Sequence, residues 1–263
     1  MASSLVGSRV ERKEDKRFLT GKGRYTSDIN LANQTYAIFI RSPHARAKIK
    51  KIDISKALKA SGVVNILTGE DIAKDKIGGL IAGWAIRSED GSEMKCPTNP
   101  PLAKDNVNFV GDPVAVIFAE TLDEAKAASE LVKVEYKVLK AVINLEDTMN
   151  SEAIHEGIDK NVCYDWLLGD RKKVEEAFDK ADKIIKLDVT NNRLIPNAME
   201  PRACVVDYNT ASEEITCYTT SQNPHLSRLI MSAFGGVAPE NKLRVVAPDV
   251  GGGFGSKINL YNE

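Results

Sequence analysis

The chain has 263 residues, with 36 Lys+Arg against 37 Asp+Glu (net charge −1), 43% hydrophobic and 28% charged. That length and apolar content suffice for one large or two smaller globular domains, and the even charge leaves no cationic excess for nucleic acid or an anionic bilayer. No apolar run approaches a membrane span, and the N-terminus, Met1 to Ser8, meets charge at Arg9 without forming a secretory apolar core, so a cytoplasmic protein is expected.

Residues 9–20 are charge-dense and read as a solvated arm, ending in a turn at Gly21 and Gly23. A β-rich run over 35–41 stops at Ser42-Pro43, and 49–54 alternates apolar and charged residues as a half-buried strand does. Ser55 is placed to cap a short helix over 56–61, closed by Gly62. A short buried strand follows over 63–67, and Thr68 is placed to cap a further helical turn. Residues 78–105 lose periodicity and carry Gly78, Gly79, Gly83, Gly91, Pro97, Pro100 and Pro101, which makes a long loop. The hydrophobic strand 114–118 leads to Thr121-x-x-Glu124, a capping box opening a helix whose apolar positions are Leu122, Ala125, Ala128, Leu131 and Val132. A strand over 133–136 follows directly.

After weakly periodic residues 146–168, a helix is expected near 171–180 with Val174, Ala177 and Phe178 on one face, then a strand over 183–190. Residues 191–201 are polar and irregular. Strands at 203–207 and 215–219 precede a helix over 225–234 that stops at Gly235-Gly236, and a last strand covers 243–246. The alternation of strands and helices argues for a mixed α/β fold of the α+β class. The domain division expected is 1–150 for an arm and first domain, 151–168 for a linker, and 169–263 for a second domain.

The last strand runs into Ala247-Pro248-Asp249-Val250-Gly251-Gly252-Gly253-Phe254-Gly255-Ser256-Lys257. Four glycines in five positions let the backbone turn sharply and bring several N–H groups near one ligand. A Walker A loop requires Gly-Lys-Ser/Thr, and here Ser256 precedes Lys257. A dinucleotide fingerprint requires a third glycine where Ser256 stands, and an acidic residue about 20 positions on. Neither generic phosphate motif is present. The cysteines, Cys96, Cys163, Cys204 and Cys217, are scattered without a C-x-x-C pair or a histidine at ligand spacing, so no protein-held iron–sulfur or zinc site is expected.

The order Gly-Gly-Gly-Phe-Gly-Ser-Lys resembles the molybdopterin-binding loop of the molybdenum hydroxylase large subunits (xanthine dehydrogenase, aldehyde oxidase, carbon monoxide dehydrogenase). The resemblance extends over essentially the whole chain. Residues 17–25, Arg-Phe-Leu-Thr-Gly-Lys-Gly-Arg-Tyr, and 41–45, Arg-Ser-Pro-His-Ala, look like the start of that subunit. Gly111-Asp112-Pro113-Val114-Ala115-Val116 is similar to a signature of its α/β hammerhead domain. Met199-Glu200-Pro201-Arg202 and Ser221-Gln222-Asn223-Pro224-His225 look like the beginning of its molybdopterin-binding domain.

The resemblance implies a hammerhead domain followed by the first part of a molybdopterin-binding domain, in an oxidoreductase that hydroxylates an aldehyde, N-heterocycle or similar substrate with water-derived oxygen. It makes Gln222 and Phe254 the residues at the catalytic centre, with Gln222 hydrogen-bonding an oxo ligand of molybdenum. Gly251, Gly252, Gly253, Phe254 and Gly255 would lie against the molybdopterin cofactor, with Glu200 and Arg202 as active-site neighbours and His44 a structural histidine. The family's subunit continues well beyond this loop. A complementing C-terminal polypeptide, an FAD-binding medium subunit and a 2Fe-2S small subunit are therefore expected partners in an oligomer, and residues 247–263 are expected to be mobile or dimer-buried in this chain alone. Two alternatives are carried. One is a subunit-docking module that binds no cofactor; the other, a nicotinamide dehydrogenase, is disfavoured by the incomplete fingerprint.

Overall fold

The structure, a computed structural model, describes residues 6–82 and 85–263. Gly83 of the long loop and residues 1–5 lie outside the described residues. In chain order come α1 (Asp15–Leu19), β1 (Tyr36–Arg41), β2 (Ala47–Asp53), β3 (Val63–Thr68), α2 (Gly69–Lys74), β4 (Asn106–Val107), β5 (Pro113–Ala119), α3 (Leu122–Ser129) and β6 (Lys133–Val138). The second half holds α4 (Arg171–Asp179), β7 (Cys204–Asn209), β8 (Glu214–Thr219), α5 (Pro224–Leu229) and β9 (Leu243–Val246). The fold is mixed α/β, with small sheets and short helices.

The chain divides into two compact units that interleave in sequence. The larger comprises Asn33–Ile195, Ala233–Val237 and Tyr261–Glu263; the smaller comprises the residues up to Ala32, Pro196–Ser232 and Ala238–Leu260. The larger unit contains two three-stranded antiparallel sheets, ordered β1-β5-β3 and β4-β2-β6. Strand β5 is central because it is apolar without interruption, as a strand covered on both faces must be. Alternate side chains leave on opposite faces. Val114 joins Ala47, Ala103 and Val107 on one side, Ile117 joins Ala57, Ile66 and Ala128 on the other, and Ile40 packs against both groups.

Helix α3 starts where the capping box predicts: Thr121 Oγ1 accepts from Glu124 N at 3.2 Å and donates to Glu124 Oε2 at 2.8 Å. Its buried face is made by Ala125 and Ala128, whose small side chains let the helix lie close on β1 and β5. Thr68 likewise caps α2, its N–H and Oγ1 each donating to Asp71 Oδ2 at 2.8 Å. Two sequence motifs meet at the end of β1. Ser42 N donates to Asp112 O (2.9 Å), Gly111 N to Ser42 O (2.8 Å) and Arg41 Nη1 to Gly111 O (3.0 Å). His44 sits edge-on to Tyr136 with centroids 5.0 Å apart, which is a packing role.

Four expectations need correction. Strand β3 is not buried throughout: it lies at a sheet edge, so Ile66 is covered and Val64 is exposed. The 56–61 helix contracts to a single 3₁₀ turn at Ala57–Lys59 whose cap position is Lys56, while Ser55 bonds Asp53 instead. The helix expected over 225–234 is α-helical only to Leu229 and continues as a π-turn, Ile230–Phe234. Residues 183–190 form no strand, because no described segment runs beside them to take their ladder bonds, and they stay exposed. Helix α4 forms as expected, yet Val174 and Phe178 on its apolar face are exposed.

Candidate functional site

The smaller unit is built on one sheet of order β7-β8-β9, with β7 antiparallel and β9 parallel to the central β8. The parallel pair needs a crossover, which α5 provides. Both strands therefore end at the same edge, with Tyr218 opposite Val246. Chain leaving β8 passes through Ser221 and Gln222 into α5, and chain leaving β9 becomes the glycine loop. Carboxyl ends of neighbouring parallel strands are where crevices for ligands form. This topology brings together two motifs that are separated by a helix and a strand in sequence.

Gln222 is the hinge of the corner. Its main-chain N–H donates to Lys257 O at 2.8 Å, and its Oε1 accepts from Gly255 N at 3.1 Å and Lys257 N at 3.2 Å. An amide oxygen has two acceptor sites, and both are used by the loop. The side chain is exposed, and its Nε2 donor end is the one not spent on the loop. Ser221, buried beneath it, fixes the turn by accepting from Asn223 N at 2.9 Å.

The glycines answer to two requirements. A Cβ on Gly253 would lie 2.3 Å from Gln222 Oε1, and one on Gly251 would lie 2.5 Å from Glu200 Cβ, so neither position has room for a side chain. Gly252 and Gly255 have φ of +94° and +90°, a region that L side chains rarely adopt. Between them Phe254 is itself left-handed, with φ of +51°, and 76% exposed, so its ring is presented outward.

Beneath the loop lies a charged contact that the sequence did not disclose. Lys257 is 2% exposed; its Nζ donates to Glu200 O at 2.8 Å and to Glu200 Oε2 at 3.0 Å. The same Oε2 accepts from Gly251 N at 2.6 Å. Glu200 Oε1 is buried and has no hydrogen-bond partner in the structure. A lysine this deep needs a carboxylate, since an isolated charge would be costly to bury. Arg202 is exposed, and the cation on Glu200 is Lys257. Lys257 entered the sequence reading as the residue that breaks a Walker A motif and closes the glycine-loop motif, with no role of its own, and its spacing carries no mark of burial.

The base of the loop is tied to the N-terminal arm. Asp249 takes a bidentate grip from the Arg17 guanidinium, Nη2 donating to Oδ1 at 2.7 Å and Nη1 to Oδ2, and also accepts from Arg24 N at 2.8 Å. These bonds, the Arg17 side chain first, hold the Asp249 carboxyl below the usual carboxylate range. Arg17 thus departs from the solvated-arm expectation. The loop also has partners within this chain, since Glu200, Gln222 and Arg17 all bind it.

Among the described residues no group of three His, Cys, Asp or Glu side chains is suited to hold a metal ion. The corner presents an exposed amide oriented by its own oxygen and, on the loop that holds it, the exposed ring of Phe254.

Residues 20–140 match the family described as aldehyde oxidase and xanthine dehydrogenase, a/b hammerhead domain, and residues 154–263 match the molybdopterin cofactor-binding domain. The nicotine 6-hydroxylase large subunit of Paenarthrobacter nicotinovorans is 34% identical over 99% of this chain and 31% of its own. The carbon monoxide dehydrogenase large chain of Afipia carboxidovorans is 33% identical over 98% of this chain and 32% of its own. Among solved structures, quinoline 2-oxidoreductase from Pseudomonas putida 86 superposes with a TM-score of 0.84 at 30% identity, covering 97% of this chain and 32% of that one. The chain spans about a third of the length of the curated relatives it matches. With both domain families matched in order, and the glycine loop and Gln222 inside the second, the chain belongs to the molybdenum hydroxylase large subunits, the molybdopterin family of xanthine dehydrogenase, aldehyde oxidase and carbon monoxide dehydrogenase, and corresponds to their N-terminal portion.

Proposed function

We propose that the chain supplies the Gln222 and glycine-loop wall of a molybdenum-cofactor oxidoreductase that hydroxylates an aldehyde, an N-heterocycle or a similar substrate with oxygen drawn from water. The observation that carries this reading is the Gln222 amide, whose Oε1 is held by Gly255 N and Lys257 N so that Nε2 is the end offered to a ligand. An amide donates without adding charge, and a donor fixed in advance needs no reorganisation when the ligand arrives. Molybdopterin, when bound, supplies the two-electron chemistry. The chain's part is to bind and orient it: Gln222 Nε2 as a donor, and the Gly251 to Gly255 backbone with the exposed Phe254 ring by lying against it, with Glu200 beneath holding the loop in shape. FAD and 2Fe-2S centres on medium and small partner subunits would supply the onward electron-transfer chemistry. The complex is assigned to the cytoplasm.

The remainder of the large subunit, on the same polypeptide or a second one, completes the site. Support comes from residues 184–195, a segment outside any helix or strand on which Ile185, Leu187 and Val189 alternate with polar residues at 80%, 82% and 75% exposure. An unpaired segment with the alternation of a strand calls for a neighbour to pair with. The same stretch also favours the second reading, a docking module without cofactor, and metal content separates the two.

The test is Gln222→Ala in the tagged chain, purified with its partners. The reading expects pterin and molybdenum per complex, or dye-coupled oxidation of aldehydes and N-heterocycles, to fall at least about tenfold, as losing one oriented donor does. Unchanged pterin content and turnover would remove Gln222 from the site.

A further inference from the structure

The structure assigns Lys257 as the positioning residue of this corner: its buried ammonium, clamped on Glu200, fixes the backbone that aims the Gln222 amide. This deepens the cofactor-site reading and rests on it for its functional consequence, though not for its geometry.

Lys257 grips Gln222 twice through its main chain. Its carbonyl accepts from Gln222 N at 2.8 Å, and its N–H donates to Gln222 Oε1 at 3.2 Å. Wherever the Lys257 backbone goes, both the main chain and the side-chain oxygen of Gln222 follow. That backbone lies in a glycine-rich segment which, left to itself, has wide conformational freedom. Ser256 Oγ closes the turn locally on Gly253 O at 2.8 Å, and the Lys257 ammonium anchors it to the chain beyond the loop, reaching the Glu200 carbonyl at 2.8 Å and Oε2 at 3.0 Å.

Glu200 is held at the opposite end of the loop, where Oε2 accepts from Gly251 N at 2.6 Å. The pair therefore spans the loop like a strut, with Gly251 at its start and Lys257 at its finish fastened to one carboxylate. The five residues between them, including Gly253 against Gln222 and the outward Phe254, are held in a closed turn. Burial makes the strut selective. With Lys257 at 2% exposure, water does not replace the carboxylate if Glu200 is removed, and a neutral side chain at 257 leaves Glu200 unpaired in turn. Lys257 is placed under the loop and is not itself presented to a ligand.

Lys257→Met keeps the length and apolar stem while deleting the charge, and Lys257→Arg keeps the charge. Because Met alone strands the Glu200 carboxylate, Glu200→Gln with Lys257→Met serves as the variant with no orphaned charge. Hydrogen exchange of the full chain reads the geometry directly. In Lys257→Met and in the neutral double variant, the bonded amides of Gly251, Gly255 and Lys257 should exchange at least about tenfold faster than in wild type. Amides of β8 should change less than twofold, and Lys257→Arg should restore most of the protection. Protection of the loop unchanged in both Met variants would overturn the assignment. So would a loss spread evenly over β7, β8 and β9, since that is what a purely structural lysine would produce. Pterin content of the partnered complex is the second readout, and it should fall in the double variant even where its melting temperature matches wild type; retention at wild-type level would overturn the positioning role. If the wild-type complex holds no pterin, the cofactor reading fails by itself, while the exchange result still decides Lys257.

Discussion

Gly253→Ala is the most informative single change in the loop. The added Cβ would lie 2.3 Å from Gln222 Oε1, 2.5 Å from Cδ and 2.8 Å from Cγ, so the glutamine side chain must swing away. In doing so it gives up the bonds from Gly255 N and Lys257 N. Each such bond contributes about 0.5–1.5 kcal/mol net, so the pair amounts to roughly 1–3 kcal/mol. Replacing glycine by alanine restricts the unfolded chain and returns about 0.4–1 kcal/mol, which leaves a net destabilisation of about 0–2.6 kcal/mol, about 1.3 kcal/mol at the centre of the range. Gly169→Ala is the control. Its Cβ meets nothing within 4 Å, but its φ of +111° is strained for any L residue, so it costs stability without altering a residue of the loop. The assay is urea unfolding of both variants beside pterin content of the partnered complex. Gly253→Ala should lose pterin out of proportion to its stability, and Gly169→Ala should not. A Gly253→Ala chain that keeps its pterin at the wild-type level, whatever its stability, would refute the reasoning.

Three further outcomes follow from the charges and thiols. The Asp249 carboxyl is held below its ordinary value by the Arg17 guanidinium and Arg24 N–H. Its contribution is therefore present above the unfolded pKa near about 4 and is lost as pH falls below that, so Asp249→Asn should flatten the acid limb of a stability–pH curve. Asp112 is the opposite case, its carboxyl raised by burial against one bond from Asn108 N. Its protonated form is favoured by the fold, and stability falls as pH rises through the raised pKa, so Asp112→Asn should equal or exceed wild type at pH 7 and converge with it in acid. Burial pushes the Cys217 thiol up to about 12, so a disulfide reagent at neutral pH should modify exposed Cys96 and Cys204 in the native chain and reach Cys217 only after unfolding.

Local signals in the sequence were good guides where one short stretch sets the outcome. The capping pairs at Thr68 and Thr121, the buried run of β5 and the strand that feeds the glycine loop are of this kind, because propensity and pattern agree within a few residues. Gln222 and the glycines were found through ordered motifs rather than through periodicity. What was not legible was whatever depends on a distant partner. Lys257 looked like any loop lysine, because its burial requires Glu200, 57 positions away. Arg17 looked like one charge among eight, because its partner Asp249 is 232 positions away. Residues 183–190 have the alternation of a strand, and that pattern specifies a face without specifying who pairs with the edge.

The central claim is that this corner holds molybdopterin, and the most direct measurement is the molybdenum and pterin content of the complex isolated from its native source through this chain. The account predicts close to one molybdenum and one pterin per chain, together with polypeptide supplying the rest of the large subunit's length. A complex of full subunit composition that contains neither metal nor pterin would contradict it, and would leave the chain as a docking module built on a cofactor-binding fold.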